Sequence, residues 1–212
     1  MLSFNVKKDH LDFIDEVRTL TFGWNFDELI NYTNFSFCEF KSHGDILQLL
    51  LKSNNKKIIK YVLNNISSIY AVSGDGTSII HCLSAYLKNK EMLDYFVKKY
   101  HFDLELLTIK GSRPIHCACY HNSLEIIDYF VNNKGCDLNS TNWGGLKPIE
   151  ILIMRQPYDT IKYFFAKFLD ETIIDNNIDN NIKHSIIERT DINTAQKIEL
   201  LEMINRNEKK LK

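Results

Sequence analysis

Tyr61, Tyr95, Tyr129 and Tyr163 follow one another at equal intervals, and each holds the third place of a similar five-residue frame. The frames are Ile59-Lys60-Tyr61-Val62-Leu63, Leu93-Asp94-Tyr95-Phe96-Val97, Ile127-Asp128-Tyr129-Phe130-Val131 and Ile161-Lys162-Tyr163-Phe164-Phe165. A fixed period of about 20–50 residues means one small supersecondary unit stacked on copies of itself, since such a unit cannot bury its apolar face alone. The Tyr and Phe stripe is therefore expected to form the core between helical layers.

At 212 residues and 44% hydrophobic content the chain can bury a substantial core, and as a globule it would make one domain or two small ones. A repeat stack relaxes that count, because each unit packs only on its neighbours. The 26 Lys and Arg balance 27 Asp and Glu, a formal charge of -1. No overall positive field exists to attract nucleic acid or an anionic membrane, so neither is expected as a partner. The N-terminal residues lack the apolar core of a signal peptide, and the aliphatic run Ile149 to Met154 is interrupted by Glu150, so no membrane span is expected. Five cysteines, Cys38, Cys82, Cys117, Cys119 and Cys136, scattered through apolar segments suit buried reduced thiols in a cytosolic or nuclear compartment.

The best-marked unit contains two helical stretches. Pro114 to Tyr120 is short and rich in small residues, and Ser123 to Asn133 is longer and bulkier. Pro114 suits a first helical turn, Ser123 can cap the second helix, and Gly135 can close it in a left-handed conformation. A polar crossing from Cys136 to Pro148 follows, with Asn142 to Gly145 carrying the turn chemistry of a hairpin tip.

Gly135-Cys-Asp-Leu-Asn139 and Asn142-Trp-Gly-Gly-Leu-Lys-Pro-Ile-Glu150 match, position by position, a Gly-Ala-Asp-Val-Asn ending and an Asp-x-x-Gly-x-Thr-Pro-Leu-His opening. The chain thus resembles the ankyrin repeat. Thr108 to His116 keeps the Gly, Pro and His of the opening, and Ser73 to His81 keeps Gly and His. The Asn142 frame keeps Gly and Pro but has Glu150 in the place of His. Residues 45 to 63 retain mainly the apolar pattern. His184 falls in register one period beyond Glu150, and Thr194 to Asn205 can supply a further second helix.

The resemblance implies an all-α solenoid of stacked helix-turn-helix repeats joined by β-hairpin-like loops. It sets a repeat domain of four to five units over residues 43–207, best marked over 73–165, behind a non-repeat helical cap at 1–42 and ahead of a disordered tail at 208–212. Within the cap an amphipathic helix is expected over Asp9 to Leu20 and an aromatic-rich stretch over Phe22 to Phe40. The Asn/Ile-rich tract at 172–182 is expected to be a loop insertion.

His81-Cys82 and His116-Cys117, with Cys119 nearby, offer the imidazole and thiolate that zinc selects. The pairs recur in phase, one repeat spacing apart rather than at one point, so no metal site is expected. In ankyrin-like repeats this His joins neighbouring units by hydrogen bonds. Cys117 and His121 stand four apart and can touch on a helix, but no orienting group or oxyanion loop accompanies them. Gly74, Gly76, Gly144 and Gly145 read as turn residues, not a phosphate cradle, and no cofactor is expected. The Lys-rich stretches at 52–60 and 206–212 read as solvated faces and a frayed terminus. Asp137-Leu138-Asn139 resembles the context in which ankyrin repeats are hydroxylated on Asn, with an unmodified structural Asn139 as the alternative.

By the same resemblance, hairpin tips and the outer face of the short helices form a concave binding surface. The positions carried over are Asp75, Thr77 and Tyr86 in one unit, Ile109, Lys110, Tyr120 and His121 in the next, and Trp143, Leu146, Met154 and Arg155 in the third. Aromatics and Arg concentrate interface energy, which singles out Trp143, Tyr120 and Arg155. For Trp143, packing across adjacent tips is the alternative. The implied function is a monomeric, non-enzymatic scaffold or adaptor for a protein partner; the alternatives are an inhibitor that occludes an enzyme's site, or an enzyme using its Cys and His residues.

Overall fold

The computed structural model describes residues 51, 55–65, 72–121, 124–134, 136–169 and 176–210. Ser123, Gly135, the expected cap at 1–42 and the start of the repeat domain at 43–50 lie outside them. The helices are α1 (Lys56–Asn65), α2 (Ile79–Tyr86), α3 (Lys90–Tyr100), α4 (Pro114–His121), α5 (Leu124–Lys134), α6 (Pro148–Arg155), α7 (Tyr158–Phe168), α8 (Asn176–Glu188) and α9 (Thr194–Lys210). From α2 onward they form four helix pairs among the described residues. One layer stacks α2, α4, α6 and α8; in the other α3 packs on α5 and α7 on α9.

The short helices are apolar around most of their circumference because they are packed between neighbours on both sides. In α2 every residue from Ile79 to Ala85 is buried, and the Ser84 hydroxyl donates to the Ile80 carbonyl at 2.7 Å. Helix α6 stops at Gln156, whose extended backbone (φ -93°, ψ 151°) is the conformation that the following Pro157 imposes. The longer helices are amphipathic. Helix α3 buries Met92, Leu93, Phe96 and Val97 and leaves Lys98 and Lys99 in solvent. Asn89 caps it by accepting the Met92 N–H at 2.7 Å, one period ahead of Ser123. It ends at His101 in the left-handed region (φ 53°), one period ahead of Gly135.

Tyr129 is a core position, as the period suggested, but Tyr95 and Tyr163 are not. Ile59, Leu93, Ile127 and Ile161 open the frames, and Phe96, Phe130 and Phe164 follow the tyrosines; all are fully buried. Tyr95 is half-buried, Tyr129 is buried and Tyr163 is 45% exposed. First and fourth positions of a frame share one helix face, whereas the third lies to its side. From there Tyr95 and Tyr129 reach the preceding repeat. Lys60 Nζ sits 4.8 Å from the Tyr95 ring centre, and Tyr129 Oη donates to Asp94 Oδ1 at 3.2 Å. Asp128 binds Lys167, which lies 5.8 Å from the Tyr163 ring. Lys60, Asp94 and Asp128, the residues before Tyr61, Tyr95 and Tyr129, thus face the next repeat, and the period records contacts between units as well as the core within them.

Each crossing carries a tight tip. Ser73 N–H donates to Thr77 O, Thr108 N–H to Ser112 O and Asn142 N–H to Leu146 O, at 2.8, 3.0 and 3.0 Å. Gly76, Gly111 and Gly145 take positive φ of 77°, 70° and 75°. Successive tips are hydrogen-bonded: Ile109 N–H donates to Asp75 O at 2.9 Å, and Trp143 N–H to Lys110 O at 3.0 Å.

Two expectations at the C-terminal end change. Residues 176–182, expected as loop, are the first turns of α8, because isoleucines at 178, 182 and 186 recur at a helical spacing and so share a helix face; Ile182 and Ile186 are fully buried. Helix α9 runs to Lys210, so the expected disordered tail at 208–212 is helical over its first residues. Among the described residues no helix is long and apolar enough to cross a membrane.

Candidate functional site

The first in-phase histidine, His81, is a hydrogen-bond junction between units. His81 Nδ1 accepts the Ser78 N–H at 3.2 Å, and Nε2 donates to the carbonyls of Leu106 and Ser112, at 3.0 and 3.1 Å, in the next crossing. Both ring nitrogens are therefore committed, Nδ1 also to the Ser78 hydroxyl at 2.8 Å. His116 Nδ1 accepts the Arg113 N–H at 3.2 Å within its own unit, while its buried Nε2 closes no hydrogen bond to the next one. In the following unit Glu150 does the same work, its Oε2 accepting the Lys147 N–H at 2.7 Å. His184 lies in register but is exposed, because α8 already runs from Asn176 and no helix start remains there to cap. Among the described residues no group of three or more His, Cys, Asp or Glu is placed to hold a metal ion.

Burial pushes the Cys82 and Cys117 thiols up to about 12, and raises Cys119 as well. A nucleophilic cysteine needs the opposite shift, so the Cys/His arrangement loses its chemical support. Burial, reinforced by the Arg113 charge, lowers His116 to about 4. Between about pH 6.5 and 4 the unfolded chain binds a proton at His116 that the folded chain refuses, so this contribution to stability is complete above that window and declines as pH falls through it. The shift corresponds to about 3 kcal/mol. His116→Gln, which can still accept the Arg113 N–H, is expected to flatten the pH dependence of the urea midpoint by that amount; an unchanged slope would contradict the assignment.

A groove of about 320 Å³ runs between α4 and α6 and under the second and third tips. His116, Cys117, Tyr120 and His121 form one wall, Ile151, Met154 and Arg155 the other, and Ser112, Asn142 and Leu146 the tip side. Five of the expected binding residues, Tyr120, His121, Leu146, Met154 and Arg155, meet here. Arg155 Cζ lies 4.5 Å from the centre of the Tyr120 ring, and the His121 ring stands 4.8 Å from both Tyr120 and Tyr86. Tyr86 ends α2 against the His121 ring, and the rest form a row along the tips: Asp75 and Thr77, then Ile109 and Lys110, then Trp143. Asp75 is held by Ser73 and by the Thr77 N–H, which lower its carboxyl below the usual range.

Trp143 packs on the neighbouring tip and still faces solvent. Its indole lies over Gly111, so close that a Cβ there would stand 2.7 Å from Nε1, yet the side chain is 75% exposed.

Two residues absent from the sequence-based set tie the ends of the short helices together. Buried Gln156 donates from Nε2 to the Cys119 carbonyl at 2.6 Å, linking α6 to α4. Arg189 donates to the carbonyls of Ile153 and Gln156, linking the end of α8 to α6. Arg189 stands one period after Arg155, and that spacing was the available signal.

The helix pairs, their hydrogen-bonded tips and the junction at His81 define a solenoid of helical repeats. A family model described as ankyrin repeats (3 copies) matches residues 36–142 and, overlapping them, 80–184. The chain belongs to the ankyrin-repeat family, whose repeats are in general protein-interaction modules. No curated protein gives a significant match.

Proposed function

We propose that this chain is a non-enzymatic scaffold or adaptor that binds one protein partner through its tips and short helices. One observation carries the reading. Of nine large hydrophobic side chains exposed among the described residues, six lie on this side or on the segments flanking the tips: Val72, Leu107, Ile109, Tyr120, Trp143 and Met154. Clustered exposed apolar surface marks interaction sites. The long-helix side instead carries ion pairs, Lys98 with Asp94, Lys162 with Glu199 and Lys167 with Asp128.

The free thiols of Cys82, Cys117 and Cys119 support a reducing cytosol or nucleus as the working compartment. A balanced charge supports a protein partner over nucleic acid, and a monomeric repeat domain spanning 43–207 behind a cap at 1–42 completes the reading. Affinity capture with quantitative mass spectrometry tests it. A Tyr120→Ala/Trp143→Ala/Arg155→Ala variant is expected to lose at least about tenfold of the partner held by wild type, since aromatic and Arg anchors dominate such interfaces. A Lys98→Ala/Tyr163→Ala control should retain it. Equal capture by the triple variant would contradict the proposal.

A further inference from the structure

The groove between α4 and α6 has a chemistry of its own, set by one cation. Arg155 is exposed and makes no ion pair among the described residues. Its guanidinium lies over the face of Tyr120. Stacking uses the flat face of the group and leaves the fork of N–H donors in its plane, a geometry that matches a carboxylate with two parallel hydrogen bonds. Among the described residues no Asp or Glu lines the groove to compete for those donors. Asp75, whose charge reaches Cys117, is already engaged by Ser73 and Thr77. Cations on the long-helix side differ, because Lys90 and Lys167 share Asp128 and Lys98 holds Asp94.

Beside Arg155 the lining turns apolar, with Leu146, Ile151 and half-exposed Met154. Methionine adapts its shape to what it contacts, which suits a wall that must close on an incoming side chain. The volume, about 320 Å³, sits at the low end of ligand pockets, which span roughly 300–1,000 Å³. Such a size suits one anchoring side chain with a neighbour, not a large cofactor.

We propose that this groove takes a short peptide segment of a protein partner in which an acidic residue stands beside an apolar one. The carboxylate pairs with Arg155, stacked on Tyr120, and the apolar side chain enters between Leu146, Ile151 and Met154. This inference rests on the protein-interaction reading and adds the chemistry that the partner must present.

The test pans a random-peptide display library on the full-length chain, then measures the winning sequence as a labelled synthetic peptide by fluorescence anisotropy. Enriched peptides should carry Asp or Glu adjacent to an apolar residue. Arg155→Met should weaken the peptide roughly tenfold to a hundredfold while leaving the unfolding midpoint unchanged, as loss of a charged interface anchor does. Replacing the peptide's acid with its amide should cost a similar factor on wild type and almost nothing further on Arg155→Met, the signature of a direct pair.

Enrichment without a carboxylate, independent losses from the two changes, or no enrichment overturns the proposal. Peptides that depend on Trp143 but not on Arg155 overturn it too, yet leave the protein-interaction reading standing. If the captured partner is retained by the triple alanine variant, the reading beneath it falls.

Discussion

Phe130→Ala is expected to lower the unfolding free energy by about 3–5 kcal/mol in urea titrations of the full chain, the usual cost of emptying a buried aromatic site. Tyr163→Ala is expected to cost less than about 1 kcal/mol, as for a surface substitution with a weak cation contact. The sequence presents the tyrosines as the recurring beat of the repeat, so the natural guess reverses this order. Phe130 is fully buried beside Ile126 and Ile127, whereas Tyr163 is 45% exposed. In a stack each unit draws stability from its neighbours, so the void at Phe130 weakens an interior interface on both sides. Equal losses at the two positions would mean that the frame's third residue, not its fourth, carries the core.

Gly111→Ala is expected to cost about 2–4 kcal/mol, combining the strain of a Cβ at positive φ with overpacking against the next tip. The backbone there has φ 70°, and a Cβ would run into the Trp143 indole. Adding Trp143→Ala should recover the overpacking part and leave about 1–2 kcal/mol of conformational strain. Gly145→Ala supplies the comparison, since Gly145 has φ 75° but no atom within 4 Å of an added Cβ. It should cost only the strain, about 1–2 kcal/mol. Additive effects of the Gly111 and Trp143 changes, measured as a double-mutant cycle by thermal or urea unfolding, would contradict the seating of one tip on the next.

The repeat architecture was legible because its signals are local and recur: Gly at positive φ in each tip, Pro114 and Pro148 at helix starts, and an apolar period that survives where the opening motif decays. His81 was legible as a junction for the same reason, whereas His116 and Glu150 share with it only the backbone N–H accepted at their own helix starts. The side chosen by each tyrosine was less legible. A fixed period reports that a position recurs, not whether it faces inward or toward the neighbouring unit, and Lys60 and Asp94 reveal the latter only once the helices are stacked.

Composition misled at 176–182, where Asn and Asp suggest a loop while isoleucine at a helical spacing specifies a helix face. The same extension displaced His184 from the role that its register assigned it. In the candidate site the motif marked out one surface but not its divisions. Tyr120, His121, Leu146, Met154 and Arg155 converge because α4 and α6 pack side by side, whereas Asp75, Ile109, Lys110 and Trp143 remain in a row along the tips. Gln156 escaped notice because it acts on a carbonyl of another helix, a partner that no spacing discloses, and Arg189 was marked only by its place one period after Arg155.

The long helices build the outside of the stack, and in the proposed function the tips and short helices meet a partner. Hydrogen–deuterium exchange with mass spectrometry, on the full chain free and bound to the captured partner, tests that division most directly. Binding is expected to slow exchange in residues 108–121 and 142–155, which hold the tips, α4 and α6, and to leave the outer helices at 90–100 and 158–168 unchanged. Protection centred on those outer helices, with the tips and short helices unaffected, would contradict it.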